Sequence, residues 1–197
     1  MQTIAEVKTY SPFDQWHSDR SRKQLTRIAD KVGDMVAEHT NPRWHGSYDL
    51  VTQAKQRTDK PVVAKGIHAT DSEVVAAVVA GADYVLVVGR VPEVHIEKCL
   101  IEVESLELLR QLPSTVRAVW NARDLSTGRP KEETFEEARQ VFSGWLCQAS
   151  YITLPIDVHP EADAILVGTH LPTYAQAIDP DWFAEHIGPP DLIQSAK

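Results

Sequence analysis

The chain has 197 residues and a net charge of −8. This length fits one domain over residues 1–197 with a sizeable core, although it is short for an eight-stranded barrel. An acidic chain lacks the broad basic footprint that nucleic acids and anionic membranes require, so we expect neither as a partner. A small anionic substrate remains compatible if a few cations converge locally.

The two cysteines, Cys99 and Cys147, lie within apolar runs and lack the spacing of metal ligands. We therefore expect buried, reduced thiols, no metal site and a cytoplasmic protein. No apolar run reaches the roughly 20 residues of a membrane-spanning helix. The first residues also lack the basic and apolar segment of a secretion signal.

Eight short apolar runs recur along the chain, separated by helical or loop segments. Runs without polar alternation are typical of strands that are buried on both faces of a parallel sheet. The predicted strands cover residues 3–8, 35–38, 61–64, 82–88, 99–103, 116–120, 145–149 and 162–167. This repetition favours a closed (β/α)8 TIM barrel, an α/β fold, over an open doubly wound sheet.

Helices are predicted between most of these strands. Thr70 and Glu73 have the spacing of a capping box, which opens an apolar helix that ends at Gly81. Ser47 is expected to cap a helix that runs to Gln56. Further helices are predicted over residues 22–32, 106–112, 132–142 and 182–187, and Pro180 is expected to mark the start of the last one.

Two crossovers are short. Residues 89–98, after strand four, and residues 155–161, after strand seven, leave little room for a full helix. A barrel that lacks two outer helices exposes apolar strand surface, so we predict that a second copy of the chain, or rearranged local segments, covers those gaps. Residues 191–197 are predicted as a frayed end.

Polar residues interrupt the apolar runs near the carboxyl ends of several strands, where (β/α)8 barrels build active sites. Glu6 and Lys8 are two residues apart, so both side chains point to the same side of strand one. That strand is either an exposed edge or part of a barrel mouth. The strand-end positions are Lys8, Lys65, Glu102, Asn121, Ser150 and Gly168.

These residue types suit proton transfer on an anionic substrate. Lys8, Lys65 and Arg123 would form a local anion site in an otherwise acidic chain. Gly168 and Thr169 follow strand eight, where barrels of this type bind phosphate through backbone N–H groups. A lysine and a glutamate in one water-poor mouth can also exchange protons, because each tunes the other.

The motifs resemble, in order, those of indole-3-glycerol phosphate synthase, a barrel enzyme of tryptophan biosynthesis. The first is similar to that family's E-x-K-x-x-S-P motif, and the match extends over roughly residues 4–172. In chain order, the matching segments are Glu6-Val-Lys8 with Ser11-Pro12, Trp44-His-Gly-Ser47, Pro61-Val-Val-Ala-Lys65, Gly81-Ala-Asp83-Tyr-Val-Leu86, Ile101-Glu102-Val103, Asn121-Ala-Arg123-Asp124-Leu125, Ala149-Ser150 and Leu166-Val-Gly168-Thr-His-Leu171.

The resemblance implies a carboxy-lyase that converts 1-(2-carboxyphenylamino)-1-deoxyribulose 5-phosphate by ring closure, decarboxylation and dehydration, without a cofactor. It implies Lys65 as the general acid of ring closure and Glu102 as the acid or base of dehydration. Lys8 would hold the carboxylate or phosphate end of the substrate and shuttle a proton. Glu6 and Asn121 would position the ring nitrogen and hydroxyl groups. The other implied substrate-binding residues are Arg123, Ser150, Trp44, Ser11, Gly168 and Thr169.

Several departures from the family pattern indicate a specialised relative that acts on a modified substrate. Gly66-Ile67 stands in place of D-F after the lysine, and Tyr151 stands in place of a glycine. Trp44 replaces a phenylalanine, and its loop has no core periodicity, so it is either a packing residue or a ligand platform. The family's N-terminal extension has no counterpart in this sequence.

Two other functions are compatible with these residues. Another phosphate-binding barrel, such as a phosphoribosyl isomerase, would convert an aminoaldose phosphate without releasing carbon dioxide. A non-catalytic barrel that serves as a partner protein is suggested by the trimmed helices. It predicts that Lys65→Ala and Glu102→Gln leave biological activity unchanged.

Overall fold

A computed structural model describes residues 1–189, so the predicted frayed end over residues 191–197 lies outside the described chain. Eight parallel strands form a closed barrel, in which β1 pairs with both β2 and β8. The predicted (β/α)8 barrel is therefore confirmed, and the interpretation of strand one as an exposed edge is wrong. The strands are β1 Gln2–Glu6, β2 Met35–His39, β3 Val62–Lys65, β4 Tyr84–Val88, β5 Cys99–Val103, β6 Arg117–Asn121, β7 Leu146–Ala149 and β8 Ala164–Val167.

The helices lie outside the barrel, and side-chain caps begin most of them. The Thr70 hydroxyl accepts from the Glu73 N–H and the Glu73 carboxylate accepts from the Thr70 N–H, which confirms the predicted capping box. Ser47 caps the next helix upstream, as predicted. The helices are α1 Arg22–Val32, α2 Tyr48–Arg57, α3 Asp71–Val79, α4 Leu106–Gln111, α5 Phe135–Val141, α6 Leu171–Ile178 and α7 Pro180–His186.

Alternate strand residues point into the barrel and fill its interior, while their neighbours pack beneath the helices. The inward residues are small or branched, which allows eight strands to close around a packed centre. The interior cluster comprises Ile4, Met35, Ala37, Val63, Leu86, Leu100, Val119, Cys147, Ala149, Ala164 and Leu166. Cys99 and Cys147 are both buried free thiols, as predicted.

The two short crossovers contain only single 3-10 turns, at Ile96–Lys98 and Pro155–Asp157. Both trimmed connections are thus confirmed. Apolar side chains stand exposed beside them, and Ile156 is 87% exposed. The others near these connections are Val91, Ile96 and Leu154. Coverage of these side chains by a second copy stays a prediction.

The end of the chain differs from the sequence-based expectation. Helix α6 was not predicted, because Pro172 in its first turn resembles a helix breaker and His170 is not a typical capping residue. Proline is compatible with a first turn, whose N–H groups have no partner within the helix. Helix α7 begins at Pro180, which confirms the predicted helix start. Among the helices of residues 1–189, none has the length and apolar character needed to cross a membrane.

Candidate active site

The carboxyl ends of the strands carry ionisable and amide side chains that point into the barrel. Glu6, Lys65 and Asn121 are the last residues of β1, β3 and β6. Glu102 is the penultimate residue of β5. Each lies two positions after an inward-facing apolar residue, so strand alternation directs it to the same interior. Lys8 lies just beyond β1, two residues further than the strand end.

Two adjoining cavities of about 490 and 450 Å³, open mouths included, lie at this end of the barrel. Their shared lining makes them one cleft with two lobes. Residues common to both are Lys8, Lys65, Glu102, Asn121, Arg123 and Ser150. The Gly168 lobe adds Glu6, Tyr151, Gly168, Thr169 and His170, among others. The Trp44 lobe adds Phe13, His39, Trp44, Ile67, Leu86 and Val88, among others.

Glu6 is a buried carboxylate surrounded by cations. Its Oε1 lies 3.4 Å from Lys65 Nζ, and the side chain is 2% exposed. Burial raises the pKa of Glu6, but the charges of Lys65 and Lys8 outweigh burial and lower that pKa to about 2. Oε1 makes no hydrogen bond within the described residues. Glu6 is therefore an ionised carboxylate that the neighbouring ammonium groups stabilise.

Gly168 permits the close approach of strand eight to Glu6. A Cβ atom at position 168 would overlap Oε2 of Glu6, so any side chain there must displace the carboxylate. Thr169 and His170 follow in the same lobe and lead into α6. Burial lowers the pKa of His170, and the charges of Arg123 and Lys8 lower it further.

Lys8 links the two lobes. Burial lowers its pKa to about 8, with the charges of Lys65 and Arg123 adding to the decrease and Glu6 opposing it. The ammonium group is therefore mostly charged at neutral pH and loses its proton in mildly alkaline solution.

Glu102 has a different environment from Glu6. Asn121 Nδ2 donates a hydrogen bond of 2.8 Å to its Oε1. Burial raises the pKa of Glu102, and neither the charge of Lys65 nor this hydrogen bond restores the ordinary value. A carboxyl group of this kind holds its proton to higher pH and is suited to acid–base chemistry.

The amide of Asn121 is fixed by its own partners. Its Oδ1 accepts from the Ser150 hydroxyl at 2.6 Å and from the Arg123 N–H at 2.9 Å. These two donors leave only Nδ2 to face Glu102, so the orientation of the amide follows from its hydrogen bonds. Ser150 and Asn121 thus position the acid as well as lining the cleft.

The Arg123 guanidinium lies between two aromatic rings, 4.8 Å from the Tyr151 centroid and 5.4 Å from the Phe13 centroid. Its Nη1 also donates to the Gly128 carbonyl at 2.8 Å. Ser150 and Tyr151 have φ values of 68° and 54°, in the left-handed region that glycine adopts readily. Tyr151 therefore keeps a glycine-like backbone and adds a ring that holds Arg123.

Trp44 is buried and stacks on His39, with ring centroids 4.9 Å apart and planes 9° from parallel. Trp44 is thus a packing residue that also lines the cleft. The Asn41 N–H donates to His39 Nδ1 at 3.2 Å. Burial lowers the pKa of His39 well below its usual value, and the charge of Lys65 adds to the decrease, so this imidazole is neutral at pH 7.

Gly66 stands where the resembled family has an aspartate after the lysine, and this difference has a local steric cause. A Cβ atom at position 66 would overlap Thr40 Oγ1 and lie 2.9 Å from His68 Cε1. His68 Nδ1 donates to the Leu86 carbonyl at 2.6 Å, and its Nε2 accepts from the Thr40 hydroxyl at 3.1 Å. The buried histidine therefore occupies the space that a side chain at position 66 would need.

The structure brings together every predicted site residue except one. Ser11 is buried in a small hairpin, where it pairs with Trp16, and it lines neither lobe. Sequence reasoning missed Phe13, His39 and His170. His39 ends β2 and could have been found by extending the predicted second strand one residue past Glu38. Phe13 begins a short 3-10 turn and His170 directly precedes α6, and nothing in the sequence pattern marks either residue.

Among residues 1–189, no three histidine, cysteine, aspartate or glutamate side chains form a group that could hold a metal ion. No protein-family model matches the chain. The structure is similar to the crystal structure of a 3-hexulose-6-phosphate synthase, with a TM-score of 0.59, 17% sequence identity, and coverage of 85% of this chain and 90% of that chain. At this identity the likeness establishes the barrel fold and leaves the reaction to the chemistry of the cleft.

Proposed function

We propose that the protein is an indole-3-glycerol phosphate synthase-like carboxy-lyase, acting on 1-(2-carboxyphenylamino)-1-deoxyribulose 5-phosphate or a closely related substrate. The observation that carries the proposal is the placement of Lys65 in one cleft with two buried carboxylates, of which Glu6 is ionised and Glu102 holds its proton more tightly. The order of matching motifs along the chain supports the same assignment.

The two lobes suit the two ends of such a substrate. The Gly168 lobe offers Arg123 and the chain segment that enters α6, which fits a phosphate group. The Trp44 lobe offers Phe13, Leu86 and Val88, which fit an aromatic ring. Lys65 lies in both linings, where the ketone between the two ends would be located.

Ring closure forms a bond between the carboxylate-bearing ring carbon and the ketone carbon, and the ketone oxygen takes up a proton. Lys65 is the proposed donor of that proton, with Glu6 stabilising the positive charge that develops on the ring nitrogen. The carbon–carboxylate bond then breaks, and its electron pair restores the ring while carbon dioxide leaves.

Dehydration completes the indole. The hydroxyl formed from the ketone leaves as water after it accepts a proton, and the neighbouring carbon loses a proton as the double bond forms. Glu102, oriented by Asn121, is the proposed acid or base of this step, because burial raises its pKa and lets it hold a proton to higher pH than an ordinary carboxyl group. Arg123, Lys8 and Ser150 would hold the sugar phosphate.

The activity is tested by incubating the purified protein with the carboxyphenylamino sugar phosphate and following indole fluorescence and released carbon dioxide. We expect both products in equal amounts, and we expect Lys65→Met to slow the formation of both about 10²-fold or more. A folded wild-type protein that yields neither product from this substrate or its ring-substituted analogues would contradict the proposal.

A second candidate is a barrel that isomerises or condenses a sugar phosphate without an aryl group. The likeness to a 3-hexulose-6-phosphate synthase favours it, as does the cationic lining of the Gly168 lobe. This candidate predicts turnover of an aminoaldose or ketose phosphate with no release of carbon dioxide. The assay for released carbon dioxide therefore separates the two reactions.

We further propose that a second copy of the chain covers the apolar residues beside the trimmed crossovers. Val91 and Ile96 stand exposed at the first, and Ile156 at the second. Light scattering should report a dimer or larger assembly that Ile96→Asp or Ile156→Asp dissociates. A monomer at micromolar concentration would contradict this assembly.

A further inference from the structure

His39 is the one histidine side chain at a strand end in the Trp44 lobe, and the reaction steps above leave it unused. It belongs to the inward-facing series of β2, after Met35 and Ala37. Its ring therefore extends toward the cleft, with Nε2 at the tip, away from the backbone.

Two contacts fix the chemical state of this ring. The Asn41 N–H donates to Nδ1, so Nδ1 is an acceptor and the single proton of the neutral imidazole is on Nε2. Stacking on Trp44 fixes the plane of the ring. Within residues 1–189, the His39 side chain forms no other hydrogen bond, which leaves Nε2–H available to a bound molecule.

The surroundings select the kind of acceptor. Lys8 and Lys65 line the same lobe and make its potential positive, which favours an anionic oxygen. The apolar residues Leu86 and Val88 line the lobe as well and favour an aromatic group. An aryl carboxylate combines both features, and the proposed substrate carries one.

We infer that His39 is a specificity-determining residue whose Nε2–H donates a hydrogen bond to the aryl carboxylate in the Trp44 lobe. This inference rests on the proposed function. A neutral donor orients the carboxylate without adding a full positive charge, which would stabilise the ground state against departure of carbon dioxide.

Binding of small probes tests the inference without requiring turnover. The probes are 2-(methylamino)benzoate, N-methylaniline, which lacks the carboxylate, and inorganic phosphate. His39→Phe keeps a flat ring on Trp44 and removes the donor, whereas His39→Gln keeps an N–H donor and loses the ring. Titration calorimetry gives each Kd, and the affinity for inorganic phosphate reports an intact cleft in each variant.

We expect His39→Phe to raise the Kd of 2-(methylamino)benzoate about tenfold or more, since a hydrogen bond to a charged group is lost. The Kd values of N-methylaniline and phosphate should not change, and His39→Gln should weaken the benzoate less than His39→Phe does. Nitrogen chemical shifts of His39 should show a proton on Nε2 in the free protein.

Equal benzoate affinity in wild type and His39→Phe, or a proton on Nδ1, would overturn the inference. So would wild-type protein that binds the aniline as tightly as the benzoate. These results leave the proposed activity standing if indole and carbon dioxide are still produced. Conversely, absence of product together with a His39-dependent Kd for the benzoate would reject the proposed reaction alone.

Discussion

The cleft contains two buried glutamates, Glu6 and Glu102, and their surroundings differ in how firmly each side chain holds a proton. Burial raises the pKa of both side chains. Around Glu6 the ammonium groups of Lys65 and Lys8 reverse that effect, whereas around Glu102 one charge and one amide hydrogen bond do not. Strand position and burial thus supply a carboxyl group, and the neighbouring side chains decide whether that group is a fixed charge or an acid.

The largest expected effect comes from removing the exchangeable proton of Glu102. Glu102→Gln keeps a side chain that can bond to Asn121 but cannot transfer a proton at neutral pH. We expect kcat to fall by about 10²–10⁴-fold, which is the usual contribution of general acid–base catalysis. The measurement is steady-state formation of indole product.

Glu104→Gln, on an exposed neighbour two residues along the chain, is the matched control and should retain wild-type kcat. A Glu102→Gln variant that turned over substrate within threefold of wild type would show that Glu102 does not act as an acid or base.

Removing the charge of Lys65 should bring the pKa of Glu6 closer to that of Glu102. In Lys65→Met the carboxylate of Glu6 loses the strongest opposing charge, so its pKa should rise by about one to three units. Carbon NMR titration of the side chain measures this shift, and turnover should fall about 10²-fold or more. The surface variant Lys23→Met should change neither quantity, and an unmoved Glu6 pKa would show that Lys65 does not set it.

Acid should lower the free energy of unfolding through protonation of Glu6. Because the folded-state pKa of Glu6 lies at about 2, below the ordinary 4.5, its contribution is present above pH 4.5 and is lost as the pH falls toward 2. The pKa difference corresponds to roughly 3 kcal/mol of unfolding free energy. Urea unfolding of wild type and Glu6→Gln between pH 3 and 7 should show the difference shrinking toward low pH, and a constant difference would contradict the assigned pKa.

Alkali should act through Lys8, which lies in both lobes. As the pH rises past about 8, Lys8 loses its charge, and kcat/KM should fall by roughly tenfold per further pH unit. Lys8→Arg keeps the charge, so its descending limb should move to higher pH. A pH–rate profile from 6.5 to 9.5 checks this, and identical limbs in both proteins would assign the alkaline loss to another group.

The smallest effect is expected at Tyr151, which lines the Gly168 lobe. Tyr151→Gly removes one ring from the Arg123 guanidinium, a contact worth about 0.5–1 kcal/mol, so KM should rise two- to fivefold with little change in kcat. Tyr151→Phe keeps the ring and should behave as wild type. A KM that rises equally in both variants would point to the hydroxyl rather than to the ring.

Much of the barrel could be predicted because its signals are local. A strand buried on both faces requires a continuous apolar run, and a capping box such as Thr70 with Glu73 requires two residues at one spacing. Helix α6 escaped prediction because Pro172 in a first turn resembles the proline that ends a helix. Its buried residues Leu171, Tyr174 and Ala175 belong to the same core cluster as Ile165 and Val167 of β8, a tertiary contact that local sequence patterns do not show.

The site was predictable where a polar residue ends an apolar run, as at Lys65 and Asn121. It was not predictable where tertiary contacts create the role. The tautomer of His39 depends on a backbone N–H, and the importance of Phe13 depends on Arg123 arriving from another loop. The opposite proton affinities of the two glutamates likewise arise from side chains that are distant in the chain.

The close approach of Gly168 to Glu6 has a consequence for how this cleft can diversify. No side chain fits at position 168 while the carboxylate of Glu6 stays in place. Residues 6 and 168 can therefore change only together, although they lie near opposite ends of the barrel sequence. Random single-site libraries will find position 168 intolerant. Paired libraries that shorten residue 6 as they enlarge residue 168 are the ones that can reshape this lobe of the cleft.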